Sequence, residues 1–252
     1  MALLEGKKLN KTFVSKDRKT EALRDVDFEL IQGEILGIVG ESGCGKTTLL
    51  RTIAGMIAPD SGSLFYDGKE YTGQKPREAG RFLQVVFQDA KSSFDPRMTM
   101  EKSILECGRG DCDRNRMCTL LKTVGLEEEL LQRKPGELSG GQCQRMSIAR
   151  ALYSQARILL CDEITSALDV STQAQVVELL LKLKDQGLLS AVFVSHDIAL
   201  VSMICDRVMV MQNGIIAEQG ETLKIINAPA DAYTRLLIDS ARKQGITENN
   251  VC

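Results

Sequence analysis

Residues 40–47 read GESGCGKT, and this stretch decides the architecture of the chain. Its three glycines leave the backbone free to adopt positive φ angles and to approach a polyphosphate, whose oxygens successive N–H groups can bind. Lys46 adds a positive charge near the β- and γ-phosphates, and the hydroxyl of Thr47 is a ligand for Mg²⁺. The stretch therefore predicts a loop that binds a magnesium nucleotide through its phosphates.

The segments on either side of the loop support this prediction. EILGIVG at residues 34–40 is a short apolar run typical of a buried strand, and TTLLRTIAG at residues 47–55 is typical of a helix. A strand, a loop and a helix in that order direct the positive end of the helix toward the bound anion. The alternative, a glycine-rich turn that matches by chance, would lack this context.

A second half of the nucleotide site is predicted at ARILLCDE, residues 156–163. Its apolar run is typical of a central parallel strand buried on both faces, and such sheets place their ligands where the strands end. Asp162 is the expected Mg²⁺ ligand, and Glu163 is expected to polarise the attacking water. The alternative is that the two acidic residues only cap a helix after the strand. We favour the nucleotide site because a phosphate loop precedes these residues in the same chain.

LSGGQCQR at residues 138–145 resembles the signature sequence of ABC-type ATPases. Other positions match the same family: Gln88 resembles its Q-loop glutamine, residues 166–169 its D-loop, His196 its switch histidine and Phe13 the aromatic residue that stacks on adenine. His196 is the single histidine of the chain, and the alternative for it is a structural residue after a strand. The resemblance extends from residue 3 to about residue 240.

The resemblance implies an ATPase that hydrolyses ATP with Mg²⁺ and works as a head-to-tail dimer, in which the signature of one chain serves the nucleotide of the other. The predicted catalytic residues are Gln88, Glu163 and His196. The predicted Mg²⁺ ligands are Thr47, Gln88 and Asp162. The predicted nucleotide contacts are Phe13, Gly40, Ser42, Gly43, Cys44, Gly45, Lys46, Thr47, Thr48, Ser139, Gly140, Gly141, Gln142, Asp162 and Asp169.

The fold implied by the family is an α/β phosphate-loop NTPase core with a mostly parallel sheet, an N-terminal antiparallel β subdomain and an inserted α-helical subdomain. We expect one domain over residues 1–245, with the core at 1–88 and 146–245, the helical subdomain at 89–145 and a frayed tail at 246–252. Asp67-Gly68 and Asn213-Gly214 predict hairpin turns. The helical subdomain is predicted to be broken at Pro96 and at the polar stretch GRGDCDRNR.

Two further stretches, VVFQDAKSSFDPRMTM and APADAYTRLLIDS, resemble ATPase subunits of peptide and nickel importers. Ile164 stands where most relatives have proline, and the tail is shorter than in many peptide-importer subunits. These departures favour the nickel or metal-chelate branch. The implied direct partners are two transmembrane permeases and a second ATPase subunit, for which a related chain is favoured over a second copy of this one. An extracellular solute-binding protein is an indirect partner. The chain is expected at the cytoplasmic face of the membrane.

Composition excludes several other classes of protein. A net charge of −2, from 32 basic and 34 acidic residues, provides no bulk attraction to nucleic acid, so no nucleic-acid partner is expected. The sequence lacks an apolar run of the roughly 18 residues that span a bilayer, and its start lacks the apolar block of a signal peptide. The eight cysteines contain no CxxC pair and are expected to be reduced thiols, with Cys107, Cys112 and Cys118 the one cluster worth testing for metal.

Two other kinds of ABC protein are disfavoured by length. A chromosome-maintenance ATPase would place a long coiled coil between Lys46 and Ser139, but these residues are 93 positions apart. A ribosome-associated ABC protein would carry two cassettes in one chain. A soluble ABC ATPase that remodels an enzyme complex remains open as the alternative to an importer subunit.

Overall fold

The computed structural model describes residues 2–15, 18–73, 76–108, 112–187 and 189–243. Within these ranges the β-strands are β1 (Ala2–Ser15), β2 (Arg18–Ile31), β3 (Ile35–Val39), β4 (Ser61–Tyr66), β5 (Lys69–Glu70), β6 (Leu83–Val86), β7 (Ile158–Asp162), β8 (Ser190–Val194), β9 (Arg207–Gln212) and β10 (Ile215–Glu221). The α-helices of the same ranges are α1 (Lys46–Ile53), α2 (Pro76–Ala79), α3 (Met100–Leu105), α4 (Arg114–Thr123), α5 (Gly140–Tyr153), α6 (Val170–Asp185), α7 (Ile198–Ile204), α8 (Thr222–Asn227) and α9 (Ala232–Lys243).

The chain divides into two compact units. The first comprises Met1–Ala79 and Ser190–Cys252, and the second comprises Gly80–Leu189. The first unit contains β1 to β5, β8 to β10 and the phosphate loop, whereas the second contains β6, β7 and the helices α3 to α6.

The first unit contains an antiparallel sheet with the strand order β2-β1-β4-β5. The turn between β4 and β5 has Asp67 at φ 48° and Gly68 at φ 71°, and it pairs Tyr66 with Lys69. Two positive φ angles in a two-residue loop match the right-handed twist of the flanking strands. The hairpin predicted from Asp67-Gly68 is confirmed.

The first unit also contains a parallel core, in which β3 pairs with β8 on one side and with β9 on the other. All five residues of β3 and all five of β8 are buried, as expected of central strands with both faces covered. The antiparallel β10 joins β9 through Asn213 and Gly214, both at positive φ, which confirms the second predicted hairpin. Because β3 and β8 run parallel, their carboxyl ends lie at one edge of the unit.

The second unit contains a parallel pair of strands and a helical segment. β6 pairs with β7 in parallel, with Val86 opposite Cys161. The guanidinium of Arg150 on α5 donates to the carbonyl and hydroxyl oxygens of Ser93 at 2.9 and 3.1 Å, and it lies 4.2 Å from the ring centroid of Phe94. Arg150 thereby fixes the segment that follows β6 against the last turn of α5.

One predicted helix break is confirmed and one helix boundary differs from the prediction. The polar stretch GRGDCDRNR interrupts the helices at Cys112 and Asp113, and its residues 114–116 form the first turn of α4 because Asp113 accepts a hydrogen bond from the N–H of Arg116 at 3.0 Å. The helix expected from residue 142 begins at Gly140. The predicted tail at 246–252 lies outside the described residues.

Within the described ranges, no helix is both long enough and apolar enough to cross a membrane. The same ranges contain no group of three or more histidine, cysteine or acidic residues arranged to hold a metal ion. Cys107, Cys112 and Cys118 therefore do not meet in such a group with other described residues.

Candidate functional site

The glycines of the phosphate loop are required by two separate constraints. Gly40 and Gly45 have φ angles of 148° and 114°, and a Cβ at these positions would lie 2.2 Å from the carbonyl oxygen of Met211 and 2.4 Å from that of Ala22. Gly43 has φ 81°, and apart from its two chain neighbours no described residue has an atom within 4 Å of the position of its Cβ. The loop is thus packed tightly at its two ends and open at its middle, where an anion can approach the backbone.

Lys46 lies folded across the loop that it follows. Its side chain is buried, and Nζ donates to the carbonyl oxygens of Gly40 at 2.8 Å and Glu41 at 2.9 Å. The sulfur of Cys44, also buried, lies 3.8 Å from the same nitrogen. The ammonium group is therefore held within the loop by acceptors that a phosphate oxygen can replace.

The remaining loop positions are accessible. Ser42 is exposed, and Thr47 and Thr48 are half-buried in the first turn of α1. Gly45 occupies the N-cap position of α1 and has no side chain to accept from the first N–H groups of that helix. These N–H groups and the Thr47 hydroxyl are suited to a phosphate and its metal ion.

Two hydrogen bonds from distant parts of the first unit hold the loop in place. The N–H of Gly214, in the turn between β9 and β10, donates to the carbonyl oxygen of Cys44 at 2.9 Å. The N–H of Glu41 donates to the hydroxyl oxygen of Tyr233, on α9, at 3.1 Å. Sequence reasoning noticed Tyr233 as part of a family resemblance but did not connect it with the phosphate loop.

His196 lies at the same strand edge as the phosphate loop. β3 and β8 are in parallel register up to Ile38 opposite Val194, and the N–H of Ser195 donates to the carbonyl oxygen of Ile38 at 3.2 Å. His196 follows directly and is exposed, while Asp197 caps α7 by accepting from Leu200. The end of β8 therefore presents the imidazole on the side where β3 leads into the loop.

Phe13 belongs to the β1–β2 ribbon that borders the loop. It pairs with Thr20, and the carbonyl of Ala22 two residues further along β2 is the group that excludes a side chain at Gly45. The ring of Phe13 is 42% exposed, which leaves a face for a planar ligand. Lys11 Nζ lies 5.7 Å from the centroid of the ring.

In the second unit, two predicted residues lie at the carboxyl ends of the paired strands. Gln88 comes two residues after β6 and is exposed, and Asp162 ends β7 and is half-buried. Because Val86 pairs with Cys161, Gln88 and Asp162 leave the same edge of the pair. Burial and the neighbouring Asp162 carboxylate raise the pKa of the Cys161 thiol to about 12.

Glu163 has a φ angle of 50°, a left-handed conformation that costs a non-glycine residue about 1–2 kcal/mol. Its carbonyl oxygen accepts from the N–H of Ser166 at 3.1 Å and from the hydroxyl of Ser166 at 2.9 Å. The buried side chain of Ile164 follows. This tight turn sets the direction in which the Glu163 carboxylate leaves the strand, a feature that the sequence did not indicate.

The signature segment begins α5 with reciprocal capping. The N–H of Gln142 donates to the hydroxyl oxygen of Ser139 at 3.2 Å, and the N–H of Ser139 donates to the side-chain oxygen of Gln142 at 2.9 Å. Ser139 and Gly140 are exposed, whereas Gly141 is buried. The start of a 14-residue helix is therefore displayed on the surface of the second unit.

The two glycines of the signature differ in what they contact. A Cβ at Gly141 would lie 2.3 Å from the methyl carbon of Thr172 on α6, whereas a Cβ at Gly140 would meet its nearest atom, in Leu168, at 3.8 Å. Asp169 caps α6 by accepting from the N–H of Thr172 at 2.9 Å and from its hydroxyl at 2.8 Å. These bonds hold the pKa of the Asp169 carboxyl below its usual value, so it stays ionised.

The predicted site residues thus form two groups. In the first unit, Phe13, the phosphate loop and His196 share one side of the core. In the second unit, Gln88, Asp162 and Glu163 share a strand edge, and Ser139 to Gln142 join Asp169 through Thr172. The oxygen ligands available, a threonine hydroxyl, a carboxylate and an amide carbonyl, are of the kind that Mg²⁺ prefers.

A glycine-rich phosphate loop on a parallel core, with a capped signature helix in the second unit, defines the class of ATP-binding cassettes. A family model described as ABC transporter matches residues 23–166, more than half of the chain. The chain belongs to the ABC transporter family, of which it is an ATP-binding subunit.

Among known proteins, the oligopeptide transport ATP-binding protein OppF of Haemophilus influenzae is 41% identical over 239 residues, which cover 90% of this chain and 72% of the relative. The probable D,D-dipeptide transport ATP-binding protein DdpF of Escherichia coli is 41% identical over 225 residues, 87% of this chain and 70% of the relative. These relatives support the peptide-importer part of the predicted resemblance. Neither relative is named for nickel, and the nickel branch receives no specific support from them.

A solved dimeric structure of the ATP-binding cassette MJ0796 in a post-hydrolysis state, bound to ADP and Pi, matches with a TM-score of 0.76 and 30% identity, over 87% of this chain and 98% of that one. The predicted fold class and the predicted ATPase activity are confirmed. The chain is an ATPase subunit of an ABC transporter.

Proposed function

We propose that the chain drives the import of short peptides, or small peptide-like solutes, by binding and hydrolysing ATP against two permease subunits. The observation that carries the proposal is the phosphate loop itself. Its middle is open at Gly43, and Lys46 is held there by carbonyl oxygens that a phosphate can replace. The names of OppF and DdpF supply the class of cargo.

The loop and its surroundings bind the nucleotide. The N–H groups from Gly43 to Thr48, together with Lys46, hold the phosphates, and the exposed ring of Phe13 stacks on adenine. Ser42 and Cys44 line the loop, with Cys44 kept in place by the bond from Gly214. The tight packing at Gly40 and Gly45 keeps the backbone N–H groups between them in position for the phosphates.

Thr47, Gln88 and Asp162 would hold Mg²⁺, which would offset the negative charge of the phosphates. Glu163 accepts a proton from the attacking water, and its left-handed backbone fixes the direction of the carboxylate. His196, exposed at the end of β8, donates a hydrogen bond to the γ-phosphate. Each of these side chains positions a group or offsets charge, which is the main contribution of a protein to phosphoryl transfer.

The signature segment serves the nucleotide of a second ATPase subunit. Packing among the described residues does not require glycine at position 140, because the nearest atom to its Cβ position, in Leu168, lies 3.8 Å away. Close approach by a phosphate from another subunit supplies a reason. Ser139, Gln142 and Asp169 complete this surface, and Gly141, which is buried beside Thr172, contributes through its backbone N–H. We propose a related chain as the second subunit, an extracellular solute-binding protein as a more distant partner, and the cytoplasmic face of the membrane as the location.

Residues 1–245 act as one ATPase domain in this proposal, and the helices of residues 89–145 receive the permeases. We prefer a peptide cargo to nickel or a metal chelate because the relatives are named for peptide transport. The isoleucine at position 164 is one of the features that favoured the metal-chelate branch. Uptake by the membrane complex that co-purifies with the tagged chain, using labelled tripeptides and a nickel–histidine chelate, distinguishes the two cargoes.

Replacing Glu163 by glutamine tests the mechanism. Glu163→Gln should bind Mg-ATP as the unchanged chain does, lose at least about a hundredfold in hydrolysis rate, and accumulate as an ATP-bound dimer on size-exclusion chromatography. Glu178→Gln, an exposed position in the middle of α6, is the matched control and should retain full activity. Brisk hydrolysis in Glu163→Gln would remove Glu163 from the mechanism.

A further inference from the structure

The phosphate loop is tied to a helix near the other end of the chain. The N–H of Glu41 donates to the hydroxyl oxygen of Tyr233 at 3.1 Å, across 192 positions of sequence. Glu41 is the second residue of the loop. The bond therefore fixes the orientation of the peptide group with which the loop leaves β3.

Tyr233 is itself held firmly. The N–H groups of Tyr233 and Thr234 donate to one carboxylate oxygen of Asp231 at 2.8 and 3.1 Å, which starts α9. The N–H groups of Ala230 and Asp231 donate in turn to the carboxylate of Glu218 on β10 at 2.9 and 3.1 Å. The tyrosine ring is thus attached to the core sheet through a short chain of backbone bonds to two carboxylates.

The inner face of α9 adds to this attachment. Thr234 is fully buried and Ile238 is 4% exposed, so the helix cannot slide along the unit without uncovering them. Burial raises the pKa of Tyr233 above its usual value; the hydrogen bond from the Glu41 N–H lowers it in part, and the Glu41 and Cys44 side chains raise it. The phenol therefore stays neutral at ordinary pH and accepts from the Glu41 N–H without carrying charge into the loop.

The bond between the Glu41 N–H and Tyr233 matters because Lys46 contacts the same part of the loop. Lys46 Nζ donates to the carbonyl oxygens of Gly40 and Glu41, at 2.8 and 2.9 Å. An ammonium group has three N–H donors, so a phosphate that reaches Nζ either joins these two acceptors or replaces one of them. The bond from the Glu41 N–H to Tyr233 does not involve Lys46, so it persists while the lysine changes partners.

We propose that Tyr233 is a positioning residue for the phosphate loop, which holds the Glu41 peptide in its binding conformation while Lys46 moves from the loop to the phosphates. This inference rests on the proposed role of the loop as the phosphate site of ATP. In this role Tyr233 acts through its bond to the backbone N–H of Glu41.

The experiment compares Tyr233→Phe with the unchanged full-length chain. Dissociation constants for Mg-ATP and Mg-ADP are measured by titration of a fluorescent nucleotide, and kcat and KM are measured for hydrolysis. Loss of one hydrogen bond should raise both dissociation constants and KM about threefold to tenfold. The value of kcat at saturating ATP should change less than about twofold, because the reacting groups are intact.

Tyr71→Phe is the matched control for a structural tyrosine in the same unit. The buried hydroxyl of Tyr71 donates to the carbonyl oxygen of Ile53, at the far end of α1. We expect its loss to lower the melting temperature and to leave nucleotide affinity unchanged. If Tyr233→Phe behaves in this way too, Tyr233 is structural and the proposal is overturned.

Lys46→Ala separates this inference from the function on which it rests. If Lys46→Ala abolishes binding while Tyr233→Phe binds normally, the phosphate site stands and the positioning role fails. If Lys46→Ala binds normally, the proposed phosphate site itself fails. Should Tyr233→Phe not fold, Asp231→Ala takes its place, since it keeps the phenol but removes the acceptor that aligns the start of α9; unchanged affinity in that variant also overturns the proposal.

Discussion

The ammonium nitrogen of Lys46 lies 2.8 Å from the carbonyl oxygen of Gly40, six residues earlier in the same loop. A second acceptor from the loop, the carbonyl of Glu41, lies 2.9 Å away. The side chain of Lys46 thus lies within the phosphate loop. Because the side chain is long and flexible, its ammonium group can reach a phosphate without a change in the backbone conformation.

Nucleotide should stabilise the chain through this lysine. At a hundred times the dissociation constant, ADP or ATP should raise the melting temperature by roughly 5 to 10 °C, as ligand linkage requires for a chain of this size. Lys46→Ala should abolish that shift, whereas Lys69→Ala, at an exposed position on β5, should preserve it. Differential scanning fluorimetry measures both, and a full shift in Lys46→Ala would contradict the assignment.

The two signature glycines should respond differently to alanine. Gly140→Ala should leave unfolding stability equal or up to about 1 kcal/mol higher, because the new methyl has room and the helix gains propensity. Its ATPase rate should nevertheless fall about tenfold or more. Gly141→Ala should lose about 1–3 kcal/mol in urea unfolding because its methyl would meet Thr172. Normal ATPase activity in Gly140→Ala would indicate that no phosphate approaches there.

Phe13 and Val14 provide a neighbouring pair on β1 for testing adenine stacking. Phe13→Ala should weaken ATP binding about tenfold and narrow the preference for ATP over GTP, since a base stacked on an aromatic ring contributes roughly 1–3 kcal/mol. Phe13→Trp should retain the affinity. Val14, 80% exposed, is the control, and Val14→Ala should bind ATP normally. Equal affinities in the two alanine variants would exclude stacking at Phe13.

The buried thiol of Cys161 should make stability depend on pH in alkaline solution. Its pKa is about 12 in the folded chain against an ordinary value of 9.0, so the unfolded chain releases a proton that the folded chain keeps. The contribution is complete below pH 9 and is lost as pH rises toward 12. Between pH 8 and pH 10 the unchanged chain should lose about 1 kcal/mol more than Cys161→Ala does.

Urea unfolding at the two pH values measures this difference. Cys112→Ala is the control because the Cys112 side chain is exposed, and it should follow the unchanged chain. Identical pH slopes for the unchanged chain and Cys161→Ala would show that the thiol is not held neutral by burial.

Local sequence was sufficient for those elements whose chemistry is contained in a few neighbouring residues. Asp67-Gly68 and Asn213-Gly214 predicted their turns because only a few residues tolerate two positive φ angles in succession. The boundary of α5 was misplaced because Ser139 and Gln142 cap each other, and this reciprocal bonding lets the helix start on two glycines that propensity alone would leave outside it.

Contacts across long separations were not accessible to the same reasoning. Nothing in the residues around Tyr233 specifies that its hydroxyl meets the Glu41 N–H, because the meeting depends on how α9 returns to the core. Similarly, the left-handed φ of Glu163 arises from the turn through Ser166 and contradicts its local preference. Such violations of local preference concentrate at functional positions.

Thr172 serves two neighbours with the two halves of one small side chain. Its hydroxyl is bound by Asp169, and its methyl fills the space beside Gly141. Serine at this position would keep the bond but leave a void, and valine would keep the shape but remove the hydroxyl donor, so that Asp169 would retain the backbone N–H and lose the second bond. Fewer residue types therefore fit this position than its half-buried place on α6 suggests. A substitution that keeps the bond to Asp169 can still disturb the packing beside Gly141, and one that keeps the packing can still remove the bond.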